Sequence, residues 1–320
     1  MGTPKVSILV PTYHPAPEHL RAALEALQRQ TVQDWHAVIH DDASTSDVQG
    51  IVAPFLADPR FTFRKSAHRL GIGGNWNACL QYAGAPFIQY LFQDDLWEPA
   101  FLEKALVVLE ANPTVGFVSV DHAYRYEGGG TPAAYYEDLN AFKRANIAAG
   151  KHAGGEMLRF WLAHALRPGL IGEPSFVLLR RSLIERVGPF LTDMPQSLDN
   201  EYWMRCLLSS DWYELRESLG TFRVHPKGAS AQHDQAGAGL TDRLRIFGLL
   251  LGKLDRRNPL RREAEQSAVR ALSAMIRKYF ERRRQGRNVS LQGGGRKTIV
   301  QFALKHPLLV ISALTQRTRG

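Results

Sequence analysis

The sequence predicts an α/β fold with a doubly wound, mostly parallel sheet. Four apolar runs of strand length alternate with three segments of helical periodicity within the first hundred residues. Alternation of this kind is typical of parallel strands joined by right-handed helical crossovers. Polar or acidic clusters directly follow several of these runs. Ligands of open α/β sheets bind at the carboxyl ends of the strands, so we expect the functional site at that edge.

The first two strands are predicted over residues 6–10 and 35–40. The former is a β-branched run that stops at a proline, and the latter alternates until it reaches Asp41 and Asp42. Between the two strands, apolar positions recur at helical spacing over residues 18–27.

The next elements lead to a second acidic strand end. Helical spacing over residues 51–56 precedes a short strand over 61–63, and a glycine-rich turn at 71–74 precedes a helix over 75–82. Residues 87–92 then form an almost unbroken apolar run, which is typical of a parallel strand buried on both faces.

The acids that follow this run have two interpretations. Asp94 and Asp95 are adjacent carboxylates, expected at an exposed rim, whose mutual repulsion a shared divalent cation would relieve. They also precede Pro99, and acids and proline are both favoured at the start of a helix. This stretch alone leaves the two interpretations open.

The remaining elements are less regular. Residues 121–167 contain consecutive glycines and several tyrosines, which indicate an irregular loop region. The other predictions are, in order, a helix over 100–110, a strand over 115–120, an ordered segment over 174–179, a helix over 199–209, strands over 212–224, a closing turn over 225–230 and arginine-rich helices beyond 235 with a break at 286–295.

Charge is distributed unevenly along the chain. Residues 251–320 contain 17 Lys and Arg against 4 Asp and Glu, whereas residues 1–250 contain 23 against 27. The basic character therefore belongs to the tail. Few aromatic residues are interleaved with its arginines, and no docking motif is recognisable, so we expect no nucleic-acid partner.

Cysteine usage and hydropathy indicate an intracellular chain. Cys79 and Cys206 provide neither a disulfide framework nor metal-ligand spacing, which suits a reducing compartment. The first residues lack the apolar core of a signal peptide, and no apolar stretch reaches the roughly 18 residues of a transmembrane helix.

Several motifs follow one another in order over roughly residues 5–230. They are the opening strand and turn with Pro11 and Tyr13, the turn Asp41-Asp42-Ala43-Ser44, the glycine-rich turn from Gly71, the segment Gln93-Asp94-Asp95, Asp199 six residues before Arg205, and Arg223-Val224-His225-Pro226. In order and spacing this set resembles family 2 of the glycosyltransferases, which have the GT-A fold.

The resemblance implies an inverting transferase that moves a sugar from a nucleotide-diphosphate donor (a UDP-, dTDP- or GDP-sugar) to a glycan or lipid-linked acceptor in polysaccharide or glycolipid synthesis. It implies that Asp199 is the catalytic base and that Mn²⁺ or Mg²⁺ is the cofactor. The other implied residues are Pro11, Tyr13, Asp41, Asp42, Gly71, Asn75 and Asp94 for the donor, Asp95 and His225 for the metal, and Glu173 and Trp203 for the acceptor. Glycines of the 71–74 turn would let the backbone approach the donor.

Two positions depart from the family pattern. Phe92 stands where many members have another Asp, and Leu198 stands where Glu often precedes the base. Asp94 and Asp95 suffice because Mg²⁺ needs only one or two protein carboxylates when a diphosphate supplies the other oxygens.

Asp199 and His225 also have purely structural interpretations. Asp199 is also a good N-cap for the 199–209 helix, and His225 would equally cap a strand end. A non-catalytic scaffold that binds nucleotide and Mg²⁺ is the main alternative function. The Asp199–Arg205 spacing, far along the chain from the acid pair, argues against it.

The motifs and the charge together divide the chain. We expect a transferase domain over 1–232, with a nucleotide half over 1–120 and an acceptor half over 121–232, and a basic helical extension over 233–320. Within the extension, leucines and basic residues alternate over 241–257, which is expected to pack on the domain. A second such segment, over 297–316, is interrupted by Pro307 and suits the surface of an anionic membrane at the cytoplasmic leaflet.

Overall fold

The computed structural model describes residues 2–128, 133–194, 196–225, 238–285 and 295–316. The chain divides into two compact units. The first, called the sheet unit, comprises Met1–Gly154, Ile171–Asp193 and Leu198–Pro226. The second, called the helical unit, comprises Gly155–Leu170, Met194–Ser197 and Lys227–Gly320. Of the predicted closing turn over 225–230 only His225 belongs to the described residues, and most of the predicted break over 286–295 lies outside them.

The sheet unit is built on one large sheet. Its strands are β1 (Val6–Thr12), β2 (Trp35–Asp41), β3 (Phe61–Lys65), β4 (Phe87–Tyr90), β6 (Val115–Val120), β8 (Gly150–His152), β9 (Val177–Arg180) and β10 (Asp211–Leu215). Among the described residues these eight strands follow the order β3–β2–β1–β4–β9–β6–β10–β8. Pairing is parallel from β3 through β2 and β1 to β4 and between β6 and β10. β9 runs antiparallel to both of its neighbours. The mostly parallel sheet expected from the sequence is confirmed.

Helices cover the sheet, which explains the continuous apolar runs of its strands. Every residue of β1 is buried, as is every residue of β4 and β6. The helices of this unit are α1 (Pro17–Gln28), α2 (Val48–Val52), α3 (Ile72–Leu80), α4 (Phe101–Ala111), α5 (Ala133–Asn146), α7 (Arg181–Val187) and α8 (Leu198–Ser209).

A second, smaller sheet lies in the same unit. It contains β5 (Leu96–Trp97), β7 (Ala123–Tyr126) and β11 (Gly220–Val224) in the order β5–β11–β7. Gly220 is required there because a Cβ atom would lie 2.8 Å from the carbonyl oxygen of Leu96 on the neighbouring strand. The prediction of an irregular loop over residues 121–167 is wrong, since this stretch contains β7, α5, β8 and a further helix.

The helical unit combines that further helix with the tail. Its helices are α6 (Gly154–Ala163), α9 (Ala238–Lys253), α10 (Pro259–Arg284), α11 (Gly295–Lys305) and α12 (Pro307–Gln316). The Ser267 hydroxyl donates to the Leu162 carbonyl at 2.6 Å, and Arg159 Nε lies 2.9 Å from Glu263 Oε1. Residues 155–170, expected in the transferase domain, therefore pack with the tail helices. In the part of the chain that the structure describes, no single helix is long and apolar enough to cross a membrane.

Arg205 fixes α8 to the turn that follows α7. Its guanidinium donates to both carboxylate oxygens of Glu201 at 2.8 Å and to the carbonyls of Val187 and Pro189. Arg205 and Glu201 are 7% and 1% exposed. The turn needs Gly188, whose φ is 82°. The arginine six residues after Asp199 is thus the anchor of the helix that carries Asp199.

We predict that Arg205→Met lowers the free energy of unfolding by about 3–5 kcal/mol, because it leaves the Glu201 carboxylate buried without a partner. Urea unfolding followed by circular dichroism measures the change. The double variant Arg205→Met/Glu201→Leu removes both charges and should recover most of the loss. A double variant as unstable as the single one would contradict this account.

Candidate functional site

Gln93 joins the end of β1 to the loop that follows β4. Its Oε1 accepts the backbone N–H of Tyr13 at 2.8 Å, and its Nε2 donates to the Tyr13 carbonyl at 3.3 Å. β1 and β4 are parallel neighbours. The two hydrogen bonds therefore hold Pro11 and Tyr13 beside the segment that carries Asp94. The sequence motif contained Gln93 but gave no sign of this bridging role.

Asp41 presents a buried, half-satisfied carboxylate at the end of β2. It has no exposed surface, and its Oδ1 accepts hydrogen bonds from the Ser44 hydroxyl and backbone N–H. Its Oδ2 lies 3.5 Å from Lys65 Nζ and has no hydrogen-bond partner among the described residues. Buried polar atoms are normally hydrogen-bonded. This oxygen is thus available to accept an N–H group of a ligand.

Asp42 uses both carboxylate oxygens to hold the glycine-rich turn. Oδ1 accepts the N–H of Leu70 at 2.6 Å and Oδ2 accepts that of Gly71 at 2.9 Å. Gly71 has a φ of 76°, which favours glycine. At Gly73 a Cβ atom would collide with the carbonyl oxygen of Leu191. Gly73 therefore serves close packing of α3, which corrects the expectation that it admits the donor.

Asn75 links the ends of the first two strands. Its Nδ2 donates to the Thr12 carbonyl at 3.2 Å, and its Oδ1 lies 2.6 Å from His40 Nδ1. The side chain is buried. Contacts of Asp42, Gly71 and Asn75 with a nucleotide remain predictions, and the structure shows that the side chains of Asp42 and Asn75 shape the turn and strand ends.

Asp95 is fully buried with neither carboxylate oxygen in a hydrogen bond to the described residues. Burial raises the pKa of this carboxyl well above its ordinary value, and the neighbouring Asp94 carboxylate raises it further, whereas the nearby Ser175 hydroxyl and Arg223 backbone N–H lower it by less. The expectation of an exposed rim position is therefore wrong for Asp95. A buried carboxylate without a partner is costly unless a cation or another ligand compensates it.

Asp94 and His225 are brought together across 131 residues of sequence. His225 Nε2 lies 3.0 Å from Asp94 Oδ2. This hydrogen bond, together with the Asp94 charge, raises the pKa of the imidazole, although burial opposes it. The donor set of Asp94, Asp95 and His225 is two carboxylates and one imidazole, which suits Mn²⁺ or Mg²⁺. No group of three or more metal-ligating side chains in the described ranges is already arranged to hold an ion by itself.

Three further residues lie beside His225, namely His19, Glu127 and Arg223. Of these, only Arg223 belongs to a motif recognised in the sequence. Glu127 forms an ion pair with Arg223, and its Oε2 lies 3.0 Å from His19 Nε2. The His19 ring lies 5.8 Å from the His225 ring. Glu127 follows β7 and His19 lies on α1, so only the fold brings them to this place.

Glu173 pairs with His122, a residue that the sequence analysis did not identify. The Oε2 of Glu173 lies 3.2 Å from His122 Nε2, and the His122 ring stacks on Phe176 at 3.9 Å. Burial alone would raise the pKa of Glu173, but contact with the imidazole outweighs it and the pKa is lowered. The Glu173 charge also contributes to the raised pKa of Asp95. Glu173 is therefore an oriented carboxylate in the same region, and its contact with an acceptor stays a prediction.

Asp199 and Trp203 lie on α8 in different environments. Because α8 begins at Leu198, Asp199 lies in the first turn and is not the N-cap. Trp203 has no exposed surface, stacks on Phe117 and donates its indole N–H to the Gly172 carbonyl at 2.9 Å. The assignment of Trp203 to acceptor binding does not agree with this burial. Its indole instead fastens α8 to the residue before Glu173.

The profile of the family described as Glycosyl transferase family 2 matches residues 7–164. An uncharacterized glycosyltransferase of Haemophilus influenzae is 30% identical over 231 residues, which span 72% of this chain and 71% of that relative. The chain belongs to glycosyltransferase family 2. The resemblance noted in the sequence is thereby confirmed, and the chain is a glycosyltransferase.

Two further proteins resemble this glycosyltransferase. WfgD of Escherichia coli, a UDP-Glc:α-D-GlcNAc-diphosphoundecaprenol β-1,3-glucosyltransferase, is 30% identical over 107 residues, 33% of this chain and 42% of its own length. The structure of the mannosyltransferase PcManGT from Pyrobaculum calidifontis in complex with GDP-Man and Mn²⁺ superimposes with a TM-score of 0.58 at 18% identity. The match covers 98% of this glycosyltransferase and 87% of PcManGT. The expected GT-A fold is confirmed.

We predict that Asp95→Asn stabilises this glycosyltransferase at neutral pH in the presence of a chelator. The substitution removes a carboxyl group whose ionisation is disfavoured in the folded state, a penalty of about 1–3 kcal/mol or more at neutral pH, so we expect a higher melting temperature. Asp34→Asn, at an exposed acid, is the control and should leave the melting temperature unchanged. An Asp95→Asn variant that melts below the parent chain would contradict the inferred environment of Asp95.

Proposed function

We propose that this glycosyltransferase transfers a sugar from a nucleotide-diphosphate donor to an acceptor hydroxyl with inversion at the anomeric carbon. The observation that supports this most strongly is the pair of buried carboxylates, Asp41 and Asp95, that keep oxygens without hydrogen-bond partners at the ends of β2 and β4 in the described structure. β2 and β4 pair with opposite edges of β1, and two unsatisfied acceptors so placed suit a ligand with a donor group at one end and a cation-bound diphosphate at the other.

The nucleotide is proposed to lie at the end of β1 and β2. Uracil, thymine and guanine each present a ring N–H that the free oxygen of Asp41 would accept, which fits a UDP-, dTDP- or GDP-sugar. Arg69 lies over the ring of Tyr13 at 4.3 Å and keeps that side chain oriented. Pro11 and Tyr13 would line the pocket of the nucleotide base. The glycine-rich turn, whose Gly71 N–H is bound by Asp42, would lie alongside this base.

Asp95, with Asp94 and His225, is proposed to hold Mn²⁺ or Mg²⁺. The two unpartnered oxygens of Asp95 fit such an ion, and PcManGT contains Mn²⁺ in its structure. When bound, a divalent cation neutralises the charge that develops on the leaving diphosphate. His225 is kept in place by Asp94 until the donor arrives, and Glu127 and Arg223 fix the strand end that carries it.

Two side chains of the protein are proposed to act on the acceptor, one as a general base and one as an orienting group. As the acceptor hydroxyl attacks the anomeric carbon from the face opposite the nucleotide, Asp199 takes its proton, and the configuration inverts. Such general-base assistance contributes about 10²–10⁴-fold. Glu173, whose lowered pKa keeps it ionised, is proposed to accept a hydrogen bond from a hydroxyl of the acceptor.

We predict that Asp199→Asn lowers the rate of nucleotide release in the presence of acceptor by about 10²–10⁴-fold, because the amide cannot take a proton. Binding of UDP-glucose, UDP-GlcNAc or GDP-mannose with Mn²⁺, measured by thermal shift, should stay as in the parent chain. Asp34→Asn, at an exposed acid, is the control and should keep full activity. Parental turnover by the Asp199 variant would place the base elsewhere, and tight nucleotide binding without any turnover in the parent would favour a scaffold.

The acceptor is proposed to be a lipid-linked glycan at the cytoplasmic face of an anionic membrane. WfgD takes a diphosphoundecaprenol-linked acceptor by its name, and the tail of this chain presents an apolar surface. On α11 and α12, Leu304 and Leu308 are 77% and 78% exposed, and the two helices bend by 102° between them. Lys297 and Lys305 lie on the same helix as Leu304. Exposed leucines beside basic residues suit the interface of an anionic bilayer.

We predict that the full chain co-sediments with phosphatidylglycerol vesicles and that binding weakens with salt. Leu304→Ser/Leu308→Ser should reduce binding by about tenfold or more without lowering the melting temperature, because both side chains are largely exposed. Val107→Ser in the sheet unit, where the valine is 60% exposed, is the matched control and should bind as the parent does. Equal binding by the double leucine variant would contradict the membrane proposal.

A further inference from the structure

Two partly exposed aromatic rings stack beside the acid pair. Trp76 of α3 and Phe92 lie 4.9 Å apart between ring centroids with an interplanar angle of 28°. Phe92 is two residues before Asp94, at the position where the sequence departs from the acidic family pattern. An aromatic side chain has therefore taken the place of a carboxylate at the carboxyl end of β4.

Buried neighbours hold this ring pair in one orientation. The Trp76 ring meets Phe190 edge-on at 5.1 Å, and Phe190 stacks on the fully buried Tyr202 at 3.8 Å. The Tyr90 hydroxyl donates to the Trp76 carbonyl at 3.0 Å. A surface fixed in this way loses little conformational entropy when a ligand binds.

The indole of Trp76 also differs from most others in the chain. Of the six tryptophans, four donate their indole N–H to an oxygen, namely Trp97, Trp161, Trp203 and Trp212. Trp76 makes no such bond within the described residues, and its side chain is partly exposed. It therefore offers both an aromatic face and an unused donor at the surface.

The ring pair lies within the donor region. The backbone N–H of Phe92 is held by the Ser175 hydroxyl at 3.1 Å, and the next residue, Gln93, is bonded to Tyr13. Trp76 follows Asn75, which joins the ends of β1 and β2. Phe92 and Trp76 therefore belong to the two segments that the proposed function assigns to the cation and the nucleotide.

We propose that Trp76 and Phe92 form a platform for the transferred sugar of the donor. The apolar C–H face of a pyranose ring stacks on the aromatic rings, and the Trp76 indole N–H donates to one of its hydroxyls. This inference rests on the proposed function and adds the two residues that select the sugar. A carboxylate at position 92 would accept hydrogen bonds from hydroxyls, whereas Phe92 selects a sugar that presents an apolar face.

The test compares a nucleotide sugar with its own nucleoside diphosphate. Calorimetry with Mn²⁺ measures dissociation constants for UDP and UDP-glucose, UDP and UDP-GlcNAc, and GDP and GDP-mannose. For the pair that the parent chain binds, Phe92→Leu should weaken binding of the nucleotide sugar by about three- to tenfold. The affinity for the corresponding nucleoside diphosphate should stay unchanged. Phe92→Tyr keeps the ring and should restore the parental ratio. Trp76→Phe keeps the stack but loses the indole N–H, so it should weaken the nucleotide sugar less than Phe92→Leu does.

The outcomes separate this proposal from the one on which it rests. If Phe92→Leu weakens the diphosphate and the nucleotide sugar equally, the rings are structural and the platform is refuted. An unchanged ratio in both Phe92→Leu and Trp76→Phe refutes it as well. Failure of the parent chain to bind any of these nucleotides would instead refute the proposed function.

Discussion

The site depends on one buried acidic side chain, that of Asp95. The smaller sheet creates its environment: β5 follows Asp95 directly, β11 leads to His225 and β7 leads to Glu127. The Trp97 indole donates to the Ser175 carbonyl at 2.8 Å and fixes β5 against the chain segment before β9. A chain selected for stability alone would not bury a carboxylate without partners, because the desolvation cost is not recovered within the protein. The arrangement is stable only to the extent that the rest of the fold compensates for it, which is characteristic of functional sites.

The strand ends were predictable from the sequence, whereas the partners of their side chains were not. β1, β2 and β4 are marked by local apolar runs, so Asp41 and Asp95 could be placed at the edge where ligands bind. β5 has only two residues, and β9 inserts antiparallel between β4 and β6. Pairings of this kind are decided by packing far along the chain and leave no periodic pattern. For the same reason the contact of Asp94 with His225, and those of Glu127 with His19 and Arg223, appear only in the structure.

Adjacent acids that are equivalent in the sequence have different tasks in the fold. Asp42 gives both oxygens to backbone N–H groups of the glycine-rich turn, which makes it part of the scaffold. Asp41 gives one oxygen to Ser44 and keeps the other without a hydrogen bond to the described residues. Counting the unsatisfied acceptor capacity of each carboxylate shows which acid can still accept a hydrogen bond from a ligand. That count requires coordinates, since a motif shows only that two acids are adjacent.

The limited number of protein ligands couples the proposed cation to the donor. Phe92 stands where many members of the family have a further carboxylate. Asp94 is already hydrogen-bonded to His225, and Asp95 is fully buried. Mg²⁺ and Mn²⁺ prefer about six oxygen-rich ligands in octahedral geometry. The phosphate oxygens of the donor are the natural remainder of that set, so the cation should bind weakly to the free enzyme and tightly to the enzyme with nucleotide. By thermodynamic reciprocity the cation raises the affinity for the nucleotide by the same factor. The buried charge of Asp95 is then compensated mainly when cation and donor are bound together, which links the stability of the site to its occupancy by substrate.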